Sequence, residues 1–166
     1  MLLLVITTIL WAFSFSLIGE YLAGQVDSWF SVLMRIGLAA AVFLPFLRWR
    51  NIKPKVILLY MLVGACQLGI MYLFSFRAYM YLTVPEFLLF TVLTPLYVTL
   101  IYDLISGQRL RWGYVFSALL AVLGAAIIRY HQLSEHFWWG LLLVQAANIS
   151  FAIGMVGYKR LMEVHP

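Results

Sequence analysis

Residues 87–102 run sixteen positions without a charge, with Pro95 near the middle and Asp103 closing the run. With its flanking turns this stretch is long enough to cross a bilayer once as a helix. A proline inside such a helix lacks the N–H that the carbonyl one turn earlier needs. Lipid offers that carbonyl nothing, so a neighbouring helix, a hydroxyl from Thr91 or Thr94, or a cavity water has to satisfy it. A span with this demand belongs inside a bundle, not at its rim.

The rest of the chain supplies the bundle. Of 166 residues, 65% are apolar and 10% charged, against roughly half and a quarter in a soluble domain. Apolar runs at 2–22, 29–47, 56–76, 87–102, 113–128 and 137–156 alternate with short polar turns. The expected fold class is therefore all-α, a polytopic membrane helical bundle of six transmembrane helices with the lipid bilayer as its solvent. The opening Met1-Leu2-Leu3-Leu4 carries no basic group, and no small-x-small site ends its run, so it reads as a first span and not a cleaved signal. The net charge of +5 is spread too thinly over the turns for a nucleic-acid face. A single cysteine, Cys66, excludes a disulfide within the chain and reads as a small core residue.

Lysine and arginine in the turns set the orientation. With the N-terminus in the cytoplasm, the inner turns hold Arg48, Arg50, Lys53, Lys55, Arg109, Arg111, Lys159 and Arg160, and the outer ones only Arg77 and Arg129. The expected location is a bacterial inner membrane. Trp29, Trp49, Trp112, Trp138 and Trp139 stand near span ends, where interfacial anchoring accounts for them.

Span one (LLLVITTILWAFSFSLIGEYL) and span six (LLLVQAANISFAIGMVGYKRL) open on the same four residues. Each carries an aromatic-alanine pair about ten positions in, Trp11-Ala12 and Phe151-Ala152. Five spans separate the two starts, and an odd-numbered unit, repeated, returns upside down, as in many transporters. The expected organisation is one five-helix repeat over 1–130, then the first helix of a second, inverted repeat over 137–166 that is cut short.

Three stretches carry a family resemblance: WAFSFSLIGEYL in span one, LMRIGLAAAVFLP in span two, and the run from AYMYLTVPEFLLFTVLTPLYVTL through YDLISGQRLRWGYVFSALLAVLGAAII. The sequence resembles the EamA family of the drug/metabolite transporter superfamily. A proline within span four and a short Gly-Glu-Arg-type turn before a Gly-rich span five recur there in this order. Here the turn reads Gly107-Gln108-Arg109, so Gln108 stands where the family has an acid, and the charge pairing that acid makes is not carried over. The resemblance implies a secondary transporter of a small organic solute. Within the family the wording from FSFRAYMYLTV to IGMVGYKRLME is nearest to members that take up biotin. Export of amino acids or drug-like metabolites on the same fold is the alternative, and a non-transporting structural membrane subunit is another.

The polar residues inside the spans are the candidate substrate-binding groups. Arg35 lies about 9 Å into span two at 1.5 Å per residue. An arginine at that depth must face the protein and find a partner. Two readings stand: a buried ion pair with Glu86 or Glu20, or a clamp on an anionic substrate carboxylate, for which its planar fork is suited. Glu86, if buried, could also couple transport to a proton. Gln67, Gln145 and Asn148 either tie helices together or line a cavity. Trp11, Tyr72 and Tyr97 either pack or stack on a planar ligand. The expected site is a midplane cavity between spans one, three, four and six, with Arg35, Glu86, Trp11, Gln67, Tyr97 and Asn148 as its candidate ligands.

Ser117, Ala121 and Ala125 recur every four residues in span five beside Gly124, a packing face between spans or between the protomers of a homodimer. His131, Glu135 and His136 share an outer turn with no third strong ligand nearby, and a solvated turn accounts for them. No Gly-rich phosphate loop, His-Glu-x-x-His or nucleophile with a base is present. Neither a catalytic role, a cofactor nor a metal is expected.

Overall fold

The computed structural model describes residues 2–47, 53–107 and 137–164, together with 112–113, 116–117, 120 and 123–124. Five helices among them are long and apolar enough to cross a bilayer: α1 (Leu2–Leu22), α2 (Ser28–Phe46), α3 (Pro54–Ala78), α4 (Val84–Ser106) and α5 (Phe137–Val164). The chain is a multi-pass, all-helical membrane protein, with no strand among the described residues. These helices are the expected spans one to four and six. Most of span five, with Ala121 and Ala125 of its small-residue stripe, lies outside the described residues. So do Arg48, Arg50, Arg109, Arg111 and the turn holding Arg129, His131, Glu135 and His136.

Local chemistry sets the helix ends. The Asp27 carboxylate accepts from Phe30 N at 3.2 Å and so caps the start of α2. Pro54 opens α3, where its missing N–H would have been an orphan anyway. Gly107 closes α4 at φ +64°, a left-handed cap that costs glycine nothing. The apolar run of the last span ends near residue 156, and the helix continues beyond it to Val164. The extra turns stay packed because Lys159 Nζ sits 4.1 Å from the Tyr102 ring centre, while the Arg160 guanidinium donates to Ser106 and pairs with Glu163 at 3.2 Å.

The most buried helix is α5. Within the most apolar stretch of each helix, 44% of α5 is buried but only 6% of α1. Small residues make this position available. Gly140, Ala147, Ser150, Ala152 and Gly154 all face inward, and at Gly154 the backbone of α3 approaches so closely that a β-carbon would lie 2.6 Å from Gln67 Cα. Beside that approach α3 loosens into a π-helical segment, Ala65–Ile70. Ser150 Oγ donates to Cys66 O there at 2.7 Å, and the Cys66 thiol faces Ser150 in turn. Interhelical packing in lipid rests on such close backbone approach and on hydrogen bonds across it. On one side of α5 a cluster of Ile18, Tyr72, Phe76, Tyr79, Phe87, Phe90, Phe137 and Val144 joins the end of α1 to α3 and α4.

Candidate functional site

The break in α4 generates the site. Its first segment ends at Thr91 and its second begins at Thr94. Val92 N and Leu93 N reach back only three residues, to Leu89 O and Phe90 O, both at 3.3 Å. The Thr91 carbonyl, deprived of a donor by Pro95, accepts from Thr94 Oγ1 at 2.7 Å. Phe90 O is met from outside the helix by Asn148 Nδ2 of α5 at 3.0 Å. Of the donors the sequence made available, one threonine hydroxyl and one neighbouring helix are thus both used.

Asn148 is buried and sits at the centre of a polar network. Its Nδ2 also points at Gln145 Oε1 (3.3 Å), which accepts from the Tyr97 hydroxyl at 2.9 Å. Its Oδ1 lies 3.1 Å from Thr94 Oγ1. Irregular backbone at membrane depth survives only where protein buries it or where it lines a cavity. Here it does both.

A cavity of about 580 Å³ opens against this break, within the usual size range for small-molecule sites. It is bounded by α1, α3, α4 and α5, the four spans between which a cavity was expected. Its aromatic wall is a chain of rings. Trp11 lies 5.6 Å from Phe151 and 5.9 Å from Phe15, and Phe15 stacks on Phe87 at 5.6 Å. Its polar atoms come from Thr8, Ser75, Thr91, Thr94, Thr99, Asn148 and the Trp11 indole, and none of the lining residues among the described ones is charged.

Of the six candidate ligands, Trp11 and Asn148 line this cavity. Tyr97 stands behind the lining, bonded to Gln145. Gln67 is packed under Gly154 at the α3–α5 crossing. Arg35 is held by two neutral oxygens, Ser14 Oγ at 3.0 Å and Tyr72 Oη at 3.1 Å, with its guanidinium 4.8 Å from the Tyr72 ring centre. These partners adjoin Phe15 and Met71, which do line the cavity.

The expected ion pair of Arg35 with Glu86 or Glu20 does not form. Glu86 is buried at the start of α4, where its Oε2 accepts from Thr83 N at 2.6 Å and from the Thr83 hydroxyl. Glu20 is exposed in the π-helical end of α1. The sequence signal for the first was present in Thr83-Val84-Pro85-Glu86, the T-x-x-E pattern of a capping box. Phe15, Ser75 and Phe151 were not foreseen as lining. Only Trp11 and Phe15 left a trace, their four-residue spacing placing both on one face of α1.

The model of the EamA-like transporter family matches residues 1–130. Over all 166 residues the chain is 75% identical to a protein of Salmonella typhimurium named biotin transporter, and 74% identical to one of that name from Escherichia coli. Each match covers 100% of this chain and 56% of the relative. A Pseudomonas aeruginosa protein named probable biotin transporter is 55% identical over 163 residues, which is 98% of this chain and 57% of that one. The chain thus spans a little over half the length of these relatives. No solved structure matches it.

Proposed function

The chain belongs to the EamA-like transporter family, and from that premise we propose that it serves an inner-membrane secondary transporter that takes up biotin. The observation that carries this reading is the cavity of about 580 Å³ at the break in α4. A discontinuous helix at a cavity between spans is where secondary transporters bind their solutes. The aromatic walls suit a fused ring, and the relatives' names supply the solute. The eight-to-two distribution of basic turn residues supports a cytoplasmic N-terminus, and the two related span openings favour a five-helix repeat followed by the start of an inverted one.

Uptake of labelled biotin tests this reading in cells lacking their own biotin synthesis and uptake. Saturable uptake is expected when the complete gene is expressed. Absence of uptake by well-expressed protein sinks the biotin reading and moves export to first place.

In this reading Arg35 takes the biotin carboxylate. It is a cation within a span whose partners are two neutral hydroxyls, and its buried Nε–H has no acceptor among the described residues. An uncompensated charge at that depth is costly until an anion meets it. Arg35→Lys keeps the charge but loses the planar fork, so a rise of about tenfold or more in KM is expected at unchanged protein level, a loss of one charge-assisted bond. Arg35→Ala is expected to exceed it. Unchanged KM and protein level in Arg35→Ala would rule out the carboxylate role.

A further inference from the structure

The hydroxyls around the cavity share one property. Each sends its proton to a helix carbonyl of its own helix. Thr8 donates to Leu4 O at 2.8 Å, Ser75 to Met71 O at 2.8 Å, Thr91 to Leu88 O at 2.7 Å and Thr99 to Pro95 O at 2.8 Å. Thr94 has one proton for two acceptors, Thr91 O and Asn148 Oδ1. The two amide protons of Asn148 point at Phe90 O and Gln145 Oε1. A hydroxyl oxygen that has donated once still has lone pairs, and so does an amide oxygen. What these six side chains present to the cavity is therefore almost wholly acceptor. The lining keeps one side-chain N–H in reserve among the described residues, the Trp11 indole, and no cation.

We propose that this cavity reads hydrogen-bond donors: it takes the neutral, N–H-bearing end of the substrate and leaves the carboxylate outside. The inference rests on the biotin reading and deepens it. Biotin's bicyclic end is a cyclic urea with two N–H groups fused to a thioether ring, and its other end is a carboxylate on an aliphatic chain. A carboxylate has only acceptors to offer, and among these oxygens it would lose its hydration without gaining a partner. The urea N–H groups match the lone pairs, and the fused rings match the wall of Trp11, Phe15 and Phe151. The N–H of a ligand can also replace Thr94 at Asn148 Oδ1 without stranding the hydroxyl, because Thr91 O remains in reach.

Competition against labelled biotin uptake by the complete transporter tests this, with two probes that both keep the carboxylate. Desthiobiotin, which retains both urea N–H groups, is expected to compete nearly as well as biotin. Biotin methylated on one urea nitrogen loses a donor and leaves a buried acceptor unmet, so its inhibition constant is expected to rise about tenfold. Thr91→Val and Thr99→Val keep the shape of the wall and delete an acceptor. At least one of them is expected to shrink the methylation penalty, whereas a purely structural defect would weaken both ligands equally. Saturable uptake with no methylation penalty, or with a penalty unchanged in both valine variants, overturns the inference and leaves the biotin reading standing. Absence of saturable uptake overturns both.

Discussion

Replacing Gly154 by leucine is expected to abolish the folded bundle, and alanine to damage it measurably. A β-carbon at this position would lie 2.6 Å from Gln67 Cα and 2.9 Å from Gln67 N, where carbon atoms normally rest about 3.5–4.0 Å apart. The atoms in the way are Gln67 N, Cα and the Cβ fixed to it, so no side-chain rotation relieves the clash, and α3 and α5 must separate. Separation also draws Ser150 away from Cys66 O, a 2.7 Å bond at the loosened π-helical segment of α3. Overpacking of a tight core costs about 1–3 kcal/mol, and the lost interhelical bond adds about 0.6 kcal/mol. That sum of about 2–4 kcal/mol is a large fraction of the roughly 5 kcal/mol at the lower end of domain stability, and leucine, with three more carbons to place than alanine, exceeds it. Size-exclusion profiles and melting temperatures of the detergent-solubilised protein read the effect. Gly37→Ala is the matched control, since a β-carbon there meets nothing within 4 Å among the described residues. A Gly154→Leu protein as monodisperse and heat-resistant as the parent would show that the α3–α5 approach is not needed.

The helices were legible because lipid permits so few alternatives: long apolar runs between short basic turns can only be spans. Pro95 went further and announced the interruption of α4 together with its chemical remedy, since a proline's missing donor is a fixed debt at a known carbonyl. Where the side chains point was harder. Gln67 and Asn148 are both amides at membrane depth, yet Gln67 is pressed beneath Gly154 while Asn148 lines the cavity. No single span reveals which of its faces meets which neighbour. Arg35 illustrates a different gap. The expectation of a carboxylate partner assumed that charge seeks charge, but Glu86 was already engaged by Thr83, three residues earlier, and two hydroxyls and a ring hold the guanidinium instead. The local T-x-x-E pattern was the more reliable guide to Glu86 because it depends on four consecutive residues at one helix start and on no packing at all.

Asn148→Leu is expected to remove transport while leaving a destabilised but folded protein. Leucine nearly matches asparagine in shape, so no cavity is created, and what is lost is the polar network. Phe90 O would keep only its 3.3 Å bond from Leu93 N, Gln145 Oε1 only that from Tyr97, and Thr94 only Thr91 O. At about 0.6 kcal/mol for each interhelical bond in a membrane, the two lost to Phe90 O and Thr94 come to about 1.2 kcal/mol, enough to lower the melting temperature without preventing folding. The effect on transport should be larger than on stability, because the same side chain braces the break in α4 and faces the cavity. Asn148→Asp separates these two contributions. It keeps an acceptor towards Thr94 and the cavity but sets a carboxylate oxygen against Phe90 O and Gln145 Oε1, where Nδ2 now donates to both. If bracing of the broken helix dominates, the aspartate protein transports as poorly as the leucine one. If the cavity-facing acceptor dominates, aspartate retains uptake that leucine loses. Should both variants transport at the parental rate, neither the brace at Phe90 O nor the acceptor at the cavity matters, and the break in α4 is not where substrate is held.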